Sequence, residues 1–131
     1  SNTIVDEMLS CLRFELSNLG GIVVIESAWG WAYTAVRLNT GDVGLCHSLL
    51  PESSTCCHQV PQAGTFAGNS AIELAELAKS WHHGERVIGI TTINSLSQIV
   101  LKRHHPNYEV REGNIVEEID VSPTDTVGMI G

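Results

Sequence analysis

Basic residues are scarce in this chain: seven Lys and Arg stand against fifteen Asp and Glu, a formal charge of −8 over 131 residues. Nonspecific nucleic-acid binding draws its affinity from Lys and Arg that neutralise phosphates. The densest basic cluster, Lys102-Arg103-His104-His105, is too small for that work and reads as a helix end, so no nucleic-acid partner is expected. Long apolar runs are missing as well. A stretch such as Gly21 to Ile25 falls far short of the ~20 residues that span a bilayer, so no membrane segment is expected. The first residues carry Asp6 and Glu7 where a signal peptide carries bases, which makes the cytoplasm the expected location. The four cysteines, Cys11, Cys46, Cys56 and Cys57, include an adjacent pair and follow no secretory signal, so reduced thiols are expected rather than a disulfide framework. Catalytic signatures are also absent: no Gly-x-Ser-x-Gly elbow, no His-Glu-x-x-His and no dinucleotide fingerprint occurs.

What is present is enough apolar material for a folded domain. Hydrophobic residues make up 43%, and a chain of this size buries roughly two thirds of its unfolded surface. Over residues 3–19, Val5, Leu9, Leu12, Leu16 and Leu19 recur at helical spacing, with Met8 and Cys11 alongside. The spacing predicts an amphipathic helix capped by Thr3 or Asn2, ended by Gly20-Gly21, with Cys11 in the core. Residues 22–26, 31–38 and 43–47 read as strands, the last two joined by the turn residues Asn39 to Asp42 in an antiparallel hairpin. Residues 48–69 hold Pro51, Pro61, Gly64 and Gly68 and follow no period, which makes a long loop and a candidate site region.

Ser70 to Glu73 fits a capping box that opens a helix to about Ser80, with His82 and His83 just after it. A phosphate-loop reading of Gly64 to Ser70 fails on the missing lysine. Residues 85–102 combine a β-branched run, Val87 to Ile93, with helical steps at Ile93, Leu96 and Val100. The run exceeds the usual strand length, so a helix is predicted, stopped by His104 to Asn107 around Pro106. Residues 120–125 read as a linker, and residues 126–131 as a buried strand. The fold class is α+β, a small antiparallel three-stranded sheet packed with helices.

Three stretches resemble, in order and spacing, the N-terminal domain of the putative heavy-metal chelation family of two-domain proteins. They are Tyr33 to Arg37 with Gly41 to Leu45, Ala63 to Gly68 leading into Glu73 to Leu77, and Arg86 to Ser95. The resemblance implies an enolase-N-terminal-like domain over residues 1–119. It also implies that residues 126–131 start a Rossmann-like domain, so that most of this C-terminal partner is missing from the chain.

The candidate metal ligands are Cys46 and His47 at the end of the hairpin and Cys56, Cys57 and His58 in the long loop, because thiolate and imidazole are the donors that soft transition metals prefer. Their spacing is not a zinc signature; a packed strand cysteine and two unligated loop thiols is the plainer alternative. A metal shared by His82-His83 and His104-His105 requires two helix ends to meet. Arg37 and Asn94 are candidate ligand-binding residues. Asn94 falls at a prominent position of the family pattern, and the plainer alternatives are an amide bonded to nearby strand backbone and an Arg37–Glu26 pair. Trp29, Trp31 and Trp81 read as cover for a small core or as a subunit contact. The leading expectation is an accessory domain that helps enclose a metal or small anionic ligand at its junction with the Rossmann-like domain. The alternatives are an enzyme with its site in the interdomain cleft, active only as the full protein, and a structural domain that forms a homodimer through exposed Trp and a sheet edge.

Overall fold

The computed structural model describes residues 3–49 and 64–129. Helix α1 (Ile4–Glu15) starts at a complete capping box: the Thr3 hydroxyl accepts from the Asp6 N–H, and the Asp6 carboxylate accepts from the Thr3 N–H. Leu9 and Leu12 are buried, as is Leu16 at the C-cap, and they set the inner stripe. The helix stops before Gly20-Gly21, because the Leu16 N–H closes the last turn on the Leu12 carbonyl and the chain then leaves α-geometry. Cys11 is exposed, not in the core as expected. One residue from Leu12 and two from Leu9, it lies about 100° and 200° around the helix from them, off the buried stripe.

Strands β1 (Val24–Trp29), β2 (Tyr33–Leu38) and β3 (Val43–His47) form an antiparallel sheet in the order β1-β2-β3. The β2–β3 hairpin turns at Gly41, whose φ of +90° is cheap only for glycine. β1 runs three residues beyond the expected Glu26, since Ser27, Ala28 and Trp29 pair with Val36, Ala35 and Thr34. A register irregularity between Val24 and Glu26 interrupts the alternation there. The inner sheet face contributes Val24, Thr34, Val36 and Leu38, all fully buried.

Helix α2 (Ala71–Ala75) continues as a 3₁₀ turn (Glu76–Lys79). The capping box expected at Ser70 does not form, because the Ser70 side chain makes no cap bond. Strand-like pairing positions the start of this helix instead: Asn69 and Ile22 carbonyls accept from the Val24 and Ala71 N–H groups, and Ser70 bridges Val23. Helix α3 (His83–His104) crosses the inner face of β2 and β3. Its β-branched run is helical, with Thr91 and Thr92 hydroxyls donating to the Val87 and Ile88 carbonyls one turn back. The core joins Leu9, Leu12, Val36, Leu38, Ala75, Ile88, Ile93 and Leu96.

After His104 the chain leaves the core. Residues 105–129 are exposed throughout and contain one short helix, α4 (Ile115–Glu118). The strand expected from residue 126 is absent as far as residue 129, since a strand needs a hydrogen-bonded neighbour and no described residue supplies one. Among the described residues, no helix is long and apolar enough to cross a membrane.

The ion pairs that tie α1 to the 3₁₀ turn predict a pH response. Arg13 and Lys79 both reach Glu76, at 2.5 and 2.6 Å, and hold its carboxyl below the ordinary value. The Thr3 backbone and hydroxyl, and more weakly Lys79, lower Asp6 as well. Groups whose pKa is depressed by folding stabilise above the unfolded value, near 4, and lose that contribution as pH falls through the folded value. The thermal midpoint is therefore expected to drop on acidification from about pH 5 to about pH 3, and Glu76→Gln to flatten part of that drop. Equal slopes for the two proteins would show that the network does not contribute.

Candidate functional site

Strand periodicity decides the geometry at the end of β3. Successive strand residues face opposite ways, so Cys46 turns inward with Gly44, toward α3, while His47 turns outward with Leu45 and Val43. Cys46 is half-buried; burial pushes its thiol above the ordinary value, against a smaller lowering by a hydrogen bond with Thr91. His47 packs edge-on against Tyr33, ring centroids 5.4 Å apart, and its Nδ1 accepts the Leu49 N–H at 3.1 Å. That bond leaves the ring proton of the neutral imidazole on Nε2. Leu49 itself has φ +48°, an uncommon conformation for a side-chain-bearing residue.

Behind this strand end lies a buried polar network. Ser48 Oγ meets Thr34 Oγ1 at 2.9 Å and the Gly30 carbonyl at 2.8 Å, while His83 Nε2 donates to the Ser48 carbonyl at 2.8 Å. His83 thus fastens the start of α3 to the end of β3, a pairing across 35 residues that no local pattern signals. Trp29 sits partly buried nearby on the inner face, its Nε1 without a partner among the described residues.

The other predicted residues are spread over the domain. Arg37 pairs with Glu26 at 2.6 Å on the outer face of the sheet, in a shallow hollow with Ala28, Ala35 and Val43. Asn94, on α3, donates from Nδ2 to the Leu45 carbonyl at 2.7 Å, the strand-backbone role weighed for it from the sequence. Arg37 and Asn94 are on different sides of the sheet and form no common site. His83 and His104 are the first and last residues of the same 22-residue helix, roughly 30 Å apart, so the two histidine pairs cannot share a metal. Cys56, Cys57 and His58 lie outside the described residues. Trp31 and Trp81 are highly exposed, so neither covers the core.

One ion pair with a buried carboxylate carries no signal in the sequence. Asp42, in the β2–β3 turn, is 6% exposed and accepts from Lys102 Nζ at 2.5 Å and Thr40 Oγ1 at 2.7 Å. A buried carboxylate must find such partners. Its position among turn residues hid the fact that α3 ends directly over it. A groove of about 420 Å³ between the end of α1, residues 19–23 and the start of α2 contains none of the predicted site residues.

A family model described as putative heavy-metal chelation matches residues 13–97, more than half of the chain. The chain belongs to this family. The family segment runs from the last turn of α1 into α3 and includes the sheet, Cys46, His47 and Asn94. A crystal structure of a protein of unknown function, of the DUF364 family, from Desulfitobacterium hafniense is similar in fold, with a TM-score of 0.53 and 22% sequence identity. The likeness covers 76% of this chain but 39% of that one, so the family member described here spans well under half of the length of that neighbour. No curated protein matches the chain.

The family's description implies a metal, and the described residues do not fit one. Cys46 and His47 point to opposite faces, and His47 has its Nδ1 committed to backbone. Among the described residues, no group of three or more His, Cys, Asp or Glu is placed to hold an ion. A closed soft-metal site takes about four donors at roughly 2.0–2.3 Å. Cys46 and His47 alone are not such a site.

Proposed function

We propose that this chain is an accessory binding unit, not an enzyme by itself, which works with a Rossmann-like companion and helps enclose a metal or small anionic ligand at their junction. The observation that carries this reading is the stretch after α3. Val110, Val116, Val127 and Met129 are 92%, 77%, 68% and 90% exposed, in a segment that contributes nothing to the core. Apolar side chains kept in water along a whole segment are normally buried by something else. In this reading, residues 120–125 are the linker and residues 126–131 the first strand of the companion. Three antiparallel strands followed by helices is consistent with the enolase-N-terminal-like arrangement.

In this reading the metal donors are Cys56, Cys57 and His58, completed by Cys46 or by the companion. Elemental analysis of protein purified without a histidine tag tests it, on both this chain and the longer protein. A soft transition metal at one per chain that is lost in Cys56→Ser/Cys57→Ser is the expected result. No metal in either form would overturn the chelation reading and leave the small anion.

A further inference from the structure

The two edges of the sheet are finished differently. At the start of β1 the chain covers its own edge: the Val24 N–H donates to the Asn69 carbonyl at 3.0 Å, and the Gly68 N–H donates to the Val24 carbonyl at 2.7 Å. β3 has no strand beside it among the described residues. Its ladder shows which backbone groups face outward. Leu38 N–H donates to the Asp42 carbonyl at 2.9 Å, and Ser48 N–H to the Ala32 carbonyl at 2.7 Å. The hydrogen-bonded positions are therefore Asp42, Gly44, Cys46 and Ser48, and alternation turns the N–H and C=O of Val43, Leu45 and His47 away from β2.

Such a row is a template for another strand. The usual deterrents are missing, because Val43 to His47 contains no Lys, no Pro and no acid, and Val43 and Leu45 are 46% and 56% exposed. The strand is also self-complementary. Antiparallel pairing about Leu45 sets Leu45 opposite Leu45 and Val43 opposite His47, with no like charges facing. Two groups on this edge are already taken: the His47 carbonyl, at the strand's end, accepts weakly from the Cys46 thiol at 3.5 Å, and the Leu45 carbonyl is held by the helix. Asn94 Nδ2 donates to the Leu45 carbonyl, at the centre of the strand, with Ser97 and Gln98 lining the same cleft. An incoming strand needs that carbonyl and the space that the Asn94 side chain occupies.

We propose that Asn94 guards this edge, its amide blocking a second copy of the chain from adding its own β3 antiparallel across Val43–His47. The helix can deliver a side chain there because Gly44 lets α3 approach β3 closely. The guard acts on the free domain and is independent of any ligand at the junction.

Sedimentation of the 131-residue chain tests the proposal, with hydrogen exchange as a second readout. Asn94→Ala is expected to sediment at twice the monomer mass at concentrations where the wild type is monomeric, and its Val43, Leu45 and His47 amides to slow. Adding Leu45→Lys, which sets two lysines opposite each other at the pairing centre, is expected to return it to the monomer. Asn94→Ser, polar but too short to reach Leu45, is the second variant should alanine unfold the domain. A folded Asn94 variant with the wild-type mass overturns the proposal. So does association that survives Leu45→Lys, or a wild-type dimer with a protected Leu45 amide.

Discussion

Gly89→Ala is expected to destabilise the domain by about 3 kcal/mol or more, although the same change in an exposed helix stabilises by about 1 kcal/mol. The sign reverses because a Cβ at Gly89 would lie 2.0 Å from the Ala78 nitrogen and 2.6 Å from both Ala78 Cα and the Leu77 carbonyl carbon. These are backbone atoms of the 3₁₀ turn, so no rotamer change relieves the overlap. α3 must move away from the turn, which loosens Ala75 and Ala78 against Ile88 and Ile93 in one core. Urea unfolding should show the loss, and the thermal midpoint should fall by more than about 10 °C. Gly20→Ala is the control: nothing lies within 4 Å of its added Cβ, and a change within about 0.5 kcal/mol is expected. If the two substitutions behaved alike, the close approach at Gly89 would be disproved.

Gly44→Ala should be comparably damaging, by about 3 kcal/mol, for a related reason on the other side of α3. Its Cβ would sit 2.3 Å from the Ser95 nitrogen, 2.4 Å from the Thr91 carbonyl oxygen and 2.6 Å from Ser95 Oγ. Relief requires β3 to separate from α3. That movement stretches the Ser95–Val36 bond of 2.9 Å and the Asn94–Leu45 bond of 2.7 Å together. Ser95→Ala, which removes only the hydroxyl, should cost about 1 kcal/mol. Denaturant unfolding distinguishes them: the midpoint should drop far more for Gly44→Ala, with the slope unchanged if the unfolded state is the same. A Gly44→Ala domain no less stable than Ser95→Ala would contradict the packing described.

The features legible in the sequence are those with a local cause. The leucine stripe and Thr3 mark α1, the turn residues around Gly41 mark the hairpin, and β3 runs over the residues expected of it. The Glu26–Arg37 pair and the Asn94 amide on strand backbone were also within reach, because one lies across adjacent strands and the other belongs to a polar residue in an apolar run. The departures from expectation have separate causes. Ser70 has the capping pattern but not the bond, because strand-like pairing with residues 22–24 positions that backbone first. The apolar neighbours of Cys11 suggest a core position, and the helical angle puts it outside.

Composition and periodicity alone determined the α+β class, the antiparallel sheet and the long helix through a β-branched run, because each depends on contacts between near neighbours. Only the tertiary structure decided that α3 packs against other backbone at Gly44 and Gly89 too closely for a Cβ, that the Asp42 carboxylate is buried and paired with Lys102, and that Cys46 and His47 diverge from any shared ion. Those facts depend on which distant segments come within van der Waals distance. Close packing sets that, and a spacing along the chain does not encode it.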